Sequence, residues 1–224
     1  MSRLARVDAS IVRVVRAGAA VFLLFVAIVT LSACQPESMN LESSLAAEPV
    51  VPDGFERAEG PMPLIFPDDH GPHPDYQTEW WYYTGNLDTT EGRHFGYQLT
   101  FFRRALIPAD QRSQRNSDWA TDQVFMGHFA LTDVEGNEFN AFERFSRGAA
   151  GLSGAQADPY AVWLEDWQVK ETNPGTYNLV ASQEGIELDL TLTDRKGPIL
   201  QGDQGYSQKG PDSGNASYYY SLTR

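Results

Sequence analysis

The stretch Thr176-Tyr-Asn-Leu-Val-Ala-Ser-Gln-Glu-Gly-Ile-Glu-Leu-Asp-Leu-Thr-Leu-Thr193 decides the fold. In its second half Ile186, Leu188, Leu190 and Leu192 alternate with Glu187, Asp189, Thr191 and Thr193. That period of two belongs to a strand with one face in a core and the other in water. Gln183-Glu-Gly185 is turn chemistry, so 176–182 and 185–193 read as an antiparallel hairpin. Working outward, the segments 79–87, 93–103, 123–132, 138–145, 161–171 and 217–223 also fit period two better than 3.6. The short turn signals between them, such as Asp133-Val-Glu-Gly-Asn137 and Asn173-Pro-Gly175, join neighbours as further hairpins. An all-β meander of about eight strands is expected, closed or nearly closed as a barrel, or folded as a sandwich. The run from Val124 to Leu131 and the final Tyr218-Tyr-Tyr220 are apolar on both faces, which calls for cover on both sides. Because the sequence stops four residues after Tyr220, the domain is expected to be incomplete at its C-terminal end, or covered there by a partner.

The N-terminal layout leads to the expectation that this body lies outside the cytoplasm, whether the segment is a cleaved export signal or an uncleaved anchor helix. The first sixteen residues are basic, 17–31 is almost wholly apolar, and Leu31-Ser-Ala-Cys34 follows, the three-part layout of an export signal. This layout resembles the lipobox of bacterial lipoproteins, which implies cleavage before Cys34 and lipidation of its thiol. The expected organisation is a signal peptide over 1–33, a flexible tether over 34–60 and a β domain over 61–224. Gln35 after the cysteine points to the periplasmic face of an outer membrane, if the cell has one. The whole chain carries a formal charge of −13. Losing 1–33 removes four arginines and one aspartate, leaving a body of about −16, which repels phosphate backbones and anionic lipid headgroups. Nucleic acid is therefore excluded as a partner, and the link to the membrane is expected to be the covalent anchor.

Chemistry-bearing residues concentrate in His73-Pro-Asp-Tyr-Gln-Thr-Glu-Trp-Trp-Tyr-Tyr-Thr-Gly-Asn-Leu87. Alternation sets Glu79, Trp81 and Tyr83 on one face and Trp80, Tyr82 and Thr84 on the other. A carboxyl held among indole and phenol rings resists ionisation and becomes a candidate general acid. The competing reading makes Glu79 an ion-pair partner of an arginine such as Arg103 or Arg144, with the rings as core. His128 sits mid-strand among apolar neighbours, where a hydrogen-bonded core histidine and a ligand-contacting one are both open readings. Asp68-Asp-His70-Gly-Pro-His73-Pro-Asp75 matches no metal-ligand spacing, and neither a metal nor a cofactor is expected. No nucleophile elbow, phosphate loop or zinc-peptidase pair occurs.

The segments His73–Leu87, Phe95-Gly-Tyr-Gln-Leu-Thr-Phe-Phe-Arg103, Gly127-His-Phe-Ala-Leu-Thr-Asp133, Arg144-Phe-Ser-Arg-Gly148 and Gly214-Asn-Ala-Ser-Tyr-Tyr-Tyr-Ser-Leu-Thr-Arg224 together resemble the N-terminal lipocalin-like domain of the carotenoid 1,2-hydratase (hydroxyneurosporene synthase) family. Its relatives include AttH-like secreted proteins often described as predicted hydrolases. The resemblance implies a lipocalin-like antiparallel barrel or sandwich, one half of a two-domain architecture, with a cleft for a long apolar ligand. It implies that Glu79, Trp80, Trp81, Tyr82 and His128 shape that cleft. The aspartate proposed as catalytic in the hydratases lies in their second domain and has no counterpart here, so no residue inherits a catalytic role. Two functional readings follow. One is an envelope carrier that binds a hydrophobic lipid or isoprenoid-like molecule, with an envelope exporter as a neighbour. The other is a hydratase-like or hydrolase-like enzyme that adds water to an apolar substrate by acid catalysis.

Overall fold

The computed structural model describes residues 54–112 and 116–223. The expected signal peptide, Cys34 and the expected tether as far as residue 53 lie outside the described residues. The tether's last stretch is already part of the folded unit: Phe55 and Ala58 are buried, and Glu56 donates its backbone N–H to the Asp75 carbonyl at 3.0 Å. Among the described residues no helix is long and apolar enough to cross a membrane.

Two antiparallel meanders carry the architecture. The first sheet runs β1 (Thr78–Asp88), β2 (His94–Ala105), β3 (Gln123–Asp133) and β4 (Glu138–Arg147), in that order. The second runs β5 (Ser153–Gln156), β6 (Ala161–Leu164), β7 (Trp167–Asn173), β8 (Thr176–Gln183) and β9 (Ile186–Thr193), again in chain order. The inward residues Leu99, Phe101, Phe125, Phe129, Trp167 and Leu179 form one continuous core between the sheets. Two small pairs follow: β10 (Pro198–Leu200) with β13 (Tyr220–Leu222), and β11 (Tyr206–Gln208) with β12 (Ala216–Tyr218). The fold is an all-β, lipocalin-like sandwich of antiparallel sheets.

Three departures from the expected strands have local causes. The segment expected as one strand over 161–171 is the hairpin β6–β7, turned at Glu165 with φ of 58°. Its inward residues show the break, since Val162 and Leu164 are followed by Trp167 and Val169, a step of three where a strand would step by two. Ser153–Gln156 forms a strand without apolar alternation because its partner β6 supplies the core side chains. The last segment splits at Tyr219 into two short strands that pair with different partners.

The order of strands leaves one side open. The short link 148–152 joins the two sheets at β4 and β5, whereas β1 and β9 are free edges at the opposite end of each sheet. Segments from both ends of the described chain lie over this seam. Tyr218 of β12 donates its hydroxyl to the Gly60 carbonyl at 2.9 Å, and Tyr76 packs edge-on against Tyr218 at 6.0 Å.

Candidate functional site

The open seam holds a cleft of about 1230 Å³, lined by residues of β1, β9, the lead-in segment and the C-terminal strands. Trp81, Tyr83 and Leu87 from β1 meet Leu190 and Leu192 from β9 across it. Because β1 is an edge strand, its outward residues contribute as well. Trp80 and Tyr82, 38% and 47% exposed, belong to the rim of the same cleft.

One end of the cleft is held by an ion-pair network. Glu79 stands directly across the β1–β2 ladder from Arg103, which is 1% exposed and donates from Nε to Glu79 Oε2 at 2.7 Å. The other carboxylate oxygen, Oε1, accepts from the His73 backbone N–H and from His73 Nδ1, each at 2.7 Å. His73 Nε2 reaches Asp69 Oδ1 at 3.0 Å. The imidazole therefore lies between two carboxylates, and its hydrogen bond to Glu79, the largest cause, with that to Asp69 raises its pKa to about 9 against the cost of burial. Arg103 also donates from Nη2 to the carbonyls of His73 and Tyr76, at 2.8 and 2.7 Å, and so fastens the lead-in to the sheet. Its Nη1, like the Ser217 hydroxyl at the cleft, is buried with no hydrogen-bond partner among the described residues.

Deeper in, aromatic and neutral polar groups take over. A short turn, Asp68–His70, delivers His70, whose carbonyl accepts the Trp81 indole N–H at 3.0 Å. Gly71 makes this approach feasible, because a Cβ there would stand 2.5 Å from the Ala157 Cβ and 2.9 Å from its Cα. His70 Nδ1 lies 2.8 Å from the Tyr220 hydroxyl, which donates to the Asp69 carbonyl at 3.1 Å. Tyr83 and Tyr160 share a hydrogen bond between their hydroxyls. Burial pushes the phenols of Tyr83, Tyr160 and Tyr220 well above their ordinary range, and burial lowers the His70 pKa. At neutral pH these four groups are uncharged donors and acceptors within an aromatic wall.

The structure brings Glu79, Trp80, Trp81 and Tyr82 to one cleft but does not bring His128 there. His128 lies on the outer face of β3, two strands in from the seam, paired with Glu143 at 3.0 Å and edge-on to Phe102 at 5.3 Å. Strand parity explains the placement, since in register it follows Tyr82 and Thr100 across the outer face. Glu79 takes the ion-pair reading. Both its oxygens are occupied by donors from Arg103 and His73, and it offers no free O–H toward the cleft. The sequence offers His70 only within the Asp68–Asp75 cluster and Tyr220 only within an aromatic final strand, and it marks neither of them, nor Tyr160, as a cleft residue. Tyr220 lies 150 positions from His70, and no local pattern links the two. Among the described residues no group of three His, Cys, Asp or Glu side chains is placed to hold a metal ion.

Comparison with known proteins gives a consistent placement. The AttH-like family matches residues 57–224. Among solved structures, the chain is similar to the crystal structure of a Nitrosomonas europaea protein described as an AttH, with 34% sequence identity and a TM-score of 0.62. The match covers 78% of this chain and 49% of that one, so the chain spans about half the length of that relative. No curated protein matches.

Proposed function

This chain belongs to the AttH-like family, and from that premise we propose that it is a carrier whose seam cleft binds a hydrophobic small molecule, held at the cell envelope by a lipid on Cys34. The observation that carries this reading is the cleft itself. At about 1230 Å³ it exceeds the usual range for small-molecule sites, about 300–1,000 Å³, and its walls combine many aromatic and aliphatic side chains with polar and charged groups. Large rings fixed in a β scaffold bury much apolar ligand surface while losing little freedom of their own. The export-type N-terminus, the lipobox-like Leu31-Ser-Ala-Cys34 and the acidic body support placement at the envelope through a covalent anchor. An exporter of the same envelope would be a fitting neighbour for a tethered carrier, since tethering raises local concentration without new contacts.

The acid-catalysed alternative draws no support from Glu79. A proton donor to an alkene needs a neutral carboxyl with its O–H free, whereas Glu79 is fixed between a guanidinium and an imidazolium.

Displacement of Nile red by a homologous series of methyl alkyl ethers tests the carrier reading. Each added methylene buried in the cleft contributes roughly 0.8 kcal/mol, so affinity should rise about fourfold per methylene until the cleft is filled. Ethers that fail to displace the dye, or whose affinity is flat with chain length, would refute it.

A further inference from the structure

Within the aromatic wall, the His70 ring has a hydrogen-bond contact at Nδ1 and, among the described residues, none at Nε2. The network assigns its tautomer. The Asp69 carbonyl can only accept, so the single proton of the Tyr220 hydroxyl goes to that carbonyl at 3.1 Å. The 2.8 Å contact between Tyr220 Oη and His70 Nδ1 must then use the proton on Nδ1. A neutral imidazole has one N–H, which leaves the lone pair on Nε2. Among the described residues no group is hydrogen-bonded to Nε2. Burial keeps the ring neutral against the raising influence of Glu171, Asp194 and Asp69, the carboxylates around it.

The ring is also fixed in place. Its carbonyl is held by Trp81 and its Nδ1 by Tyr220, while the rings of Phe66 and Tyr160 stand 4.9 and 6.3 Å from its centroid. Immobilising the acceptor in advance removes an ordering cost from ligand binding. A ligand that brings a donor to this point gains a hydrogen bond; one without a donor leaves the lone pair unpaired on losing water.

We propose that His70 Nε2 is the polar end of the cleft and accepts a hydrogen bond from the hydroxyl of a long apolar alcohol. This specificity rests on the carrier reading above and deepens it. The cleft should prefer an alcohol to its methyl ether, which has the same chain but no proton to donate, and to a carboxylate, which has none either.

Competition of dodecanol and methyl dodecyl ether against Nile red on the full chain separates the possibilities. The wild-type protein should bind the alcohol about three- to tenfold more tightly than the ether, the range expected of one hydrogen bond. His70→Phe should bring that ratio close to one. Equal affinities in the wild type, or an unchanged ratio in His70→Phe, would overturn the role of His70 while leaving the carrier reading intact. Failure of both probes to bind would overturn the two together. Nitrogen-15 NMR of the imidazole gives a readout on unaltered protein: a protonated Nδ1 and a bare Nε2 are expected, and a proton on Nε2 at neutral pH would overturn the proposal whether or not the variant folds.

Discussion

Replacing Arg103 by Met would test the assignment of Glu79 as a structural anion. Methionine keeps an unbranched apolar stem of similar reach, so the core alongside β2 stays filled. What is lost is the 2.7 Å pair with Glu79 and the donors to the His73 and Tyr76 carbonyls. Removing one partner of a buried pair costs about 3–5 kcal/mol when the other charge is stranded. Here Glu79 keeps both contacts from His73 and its side chain is 12% exposed, which places the cost near the lower end, about 3 kcal/mol. For a domain of this size that corresponds to a fall in Tm of roughly 6–12 °C. Urea unfolding followed by tryptophan fluorescence would measure it, alongside Glu79→Gln and the double variant. The two single changes should be strongly non-additive, with a coupling of about 2 kcal/mol or more. A loss below about 1 kcal/mol for Arg103→Met, or simple additivity, would refute the ion-pair account and reopen Glu79 as a proton donor.

Two further predictions concern charge and location. His73 has a folded pKa of about 9, above its ordinary 6.5, so its contribution is fully present below pH 6.5 and is lost as pH rises through about 9. The shift corresponds to roughly 3 kcal/mol, reduced to about 1–2 kcal/mol because the side chain is one-third exposed. The stability gap between wild type and His73→Gln should therefore shrink between pH 6 and pH 10, and a gap independent of pH would count against the imidazolium. For the anchor, Cys34→Ser should abolish lipidation and processing before residue 34, read from the intact mass of protein extracted from the envelope. A Cys34→Ser protein with the same processed, lipidated mass as wild type would sink it.

The hairpins were legible because each carries its own evidence. Alternation marks the faces, and a turn of fixed length sets the register. The ion pair was legible for the same reason. Once β1 and β2 are joined by the turn over 89–93, Glu79 falls opposite Arg103, and the sequence alone already offered that arginine as a partner. The β6–β7 turn was missed because Glu165-Asp166 lacks the glycine or asparagine that usually marks a positive φ, although the three-residue step from Leu164 to Trp167 records it. His128 was expected at the cleft but lies away from it, because apolar neighbours on β3 flank it on both faces and the pattern could not say which face turns toward the seam. His70 and Tyr220 lay beyond reach, since their meeting depends on how the lead-in and the last strands cross the seam.

That crossing gives the same short motif a part in both the stability of the domain and the shape of the cleft. An edge strand exposes unpaired backbone groups and invites association with other strands, so a free edge must be covered. In this domain the cover on β1 is made by chain segments standing off as well as packing down, and the space left between is the cleft. Arg103 fastens the lead-in at one end through the His73 and Tyr76 carbonyls and Glu79 through the His73 N–H groups, while Trp81 fastens it through the carbonyl of His70. The residues that hold the lead-in therefore also fix the position of His70 and the acceptor proposed on its ring. A change that loosens the ion pair should reach ligand selectivity through His70 before it empties the cleft, so Arg103→Met should lower the alcohol-to-ether preference while dye binding persists. Selectivity that stays at the wild-type ratio in a folded Arg103→Met protein would show that the two ends of the lead-in are held independently.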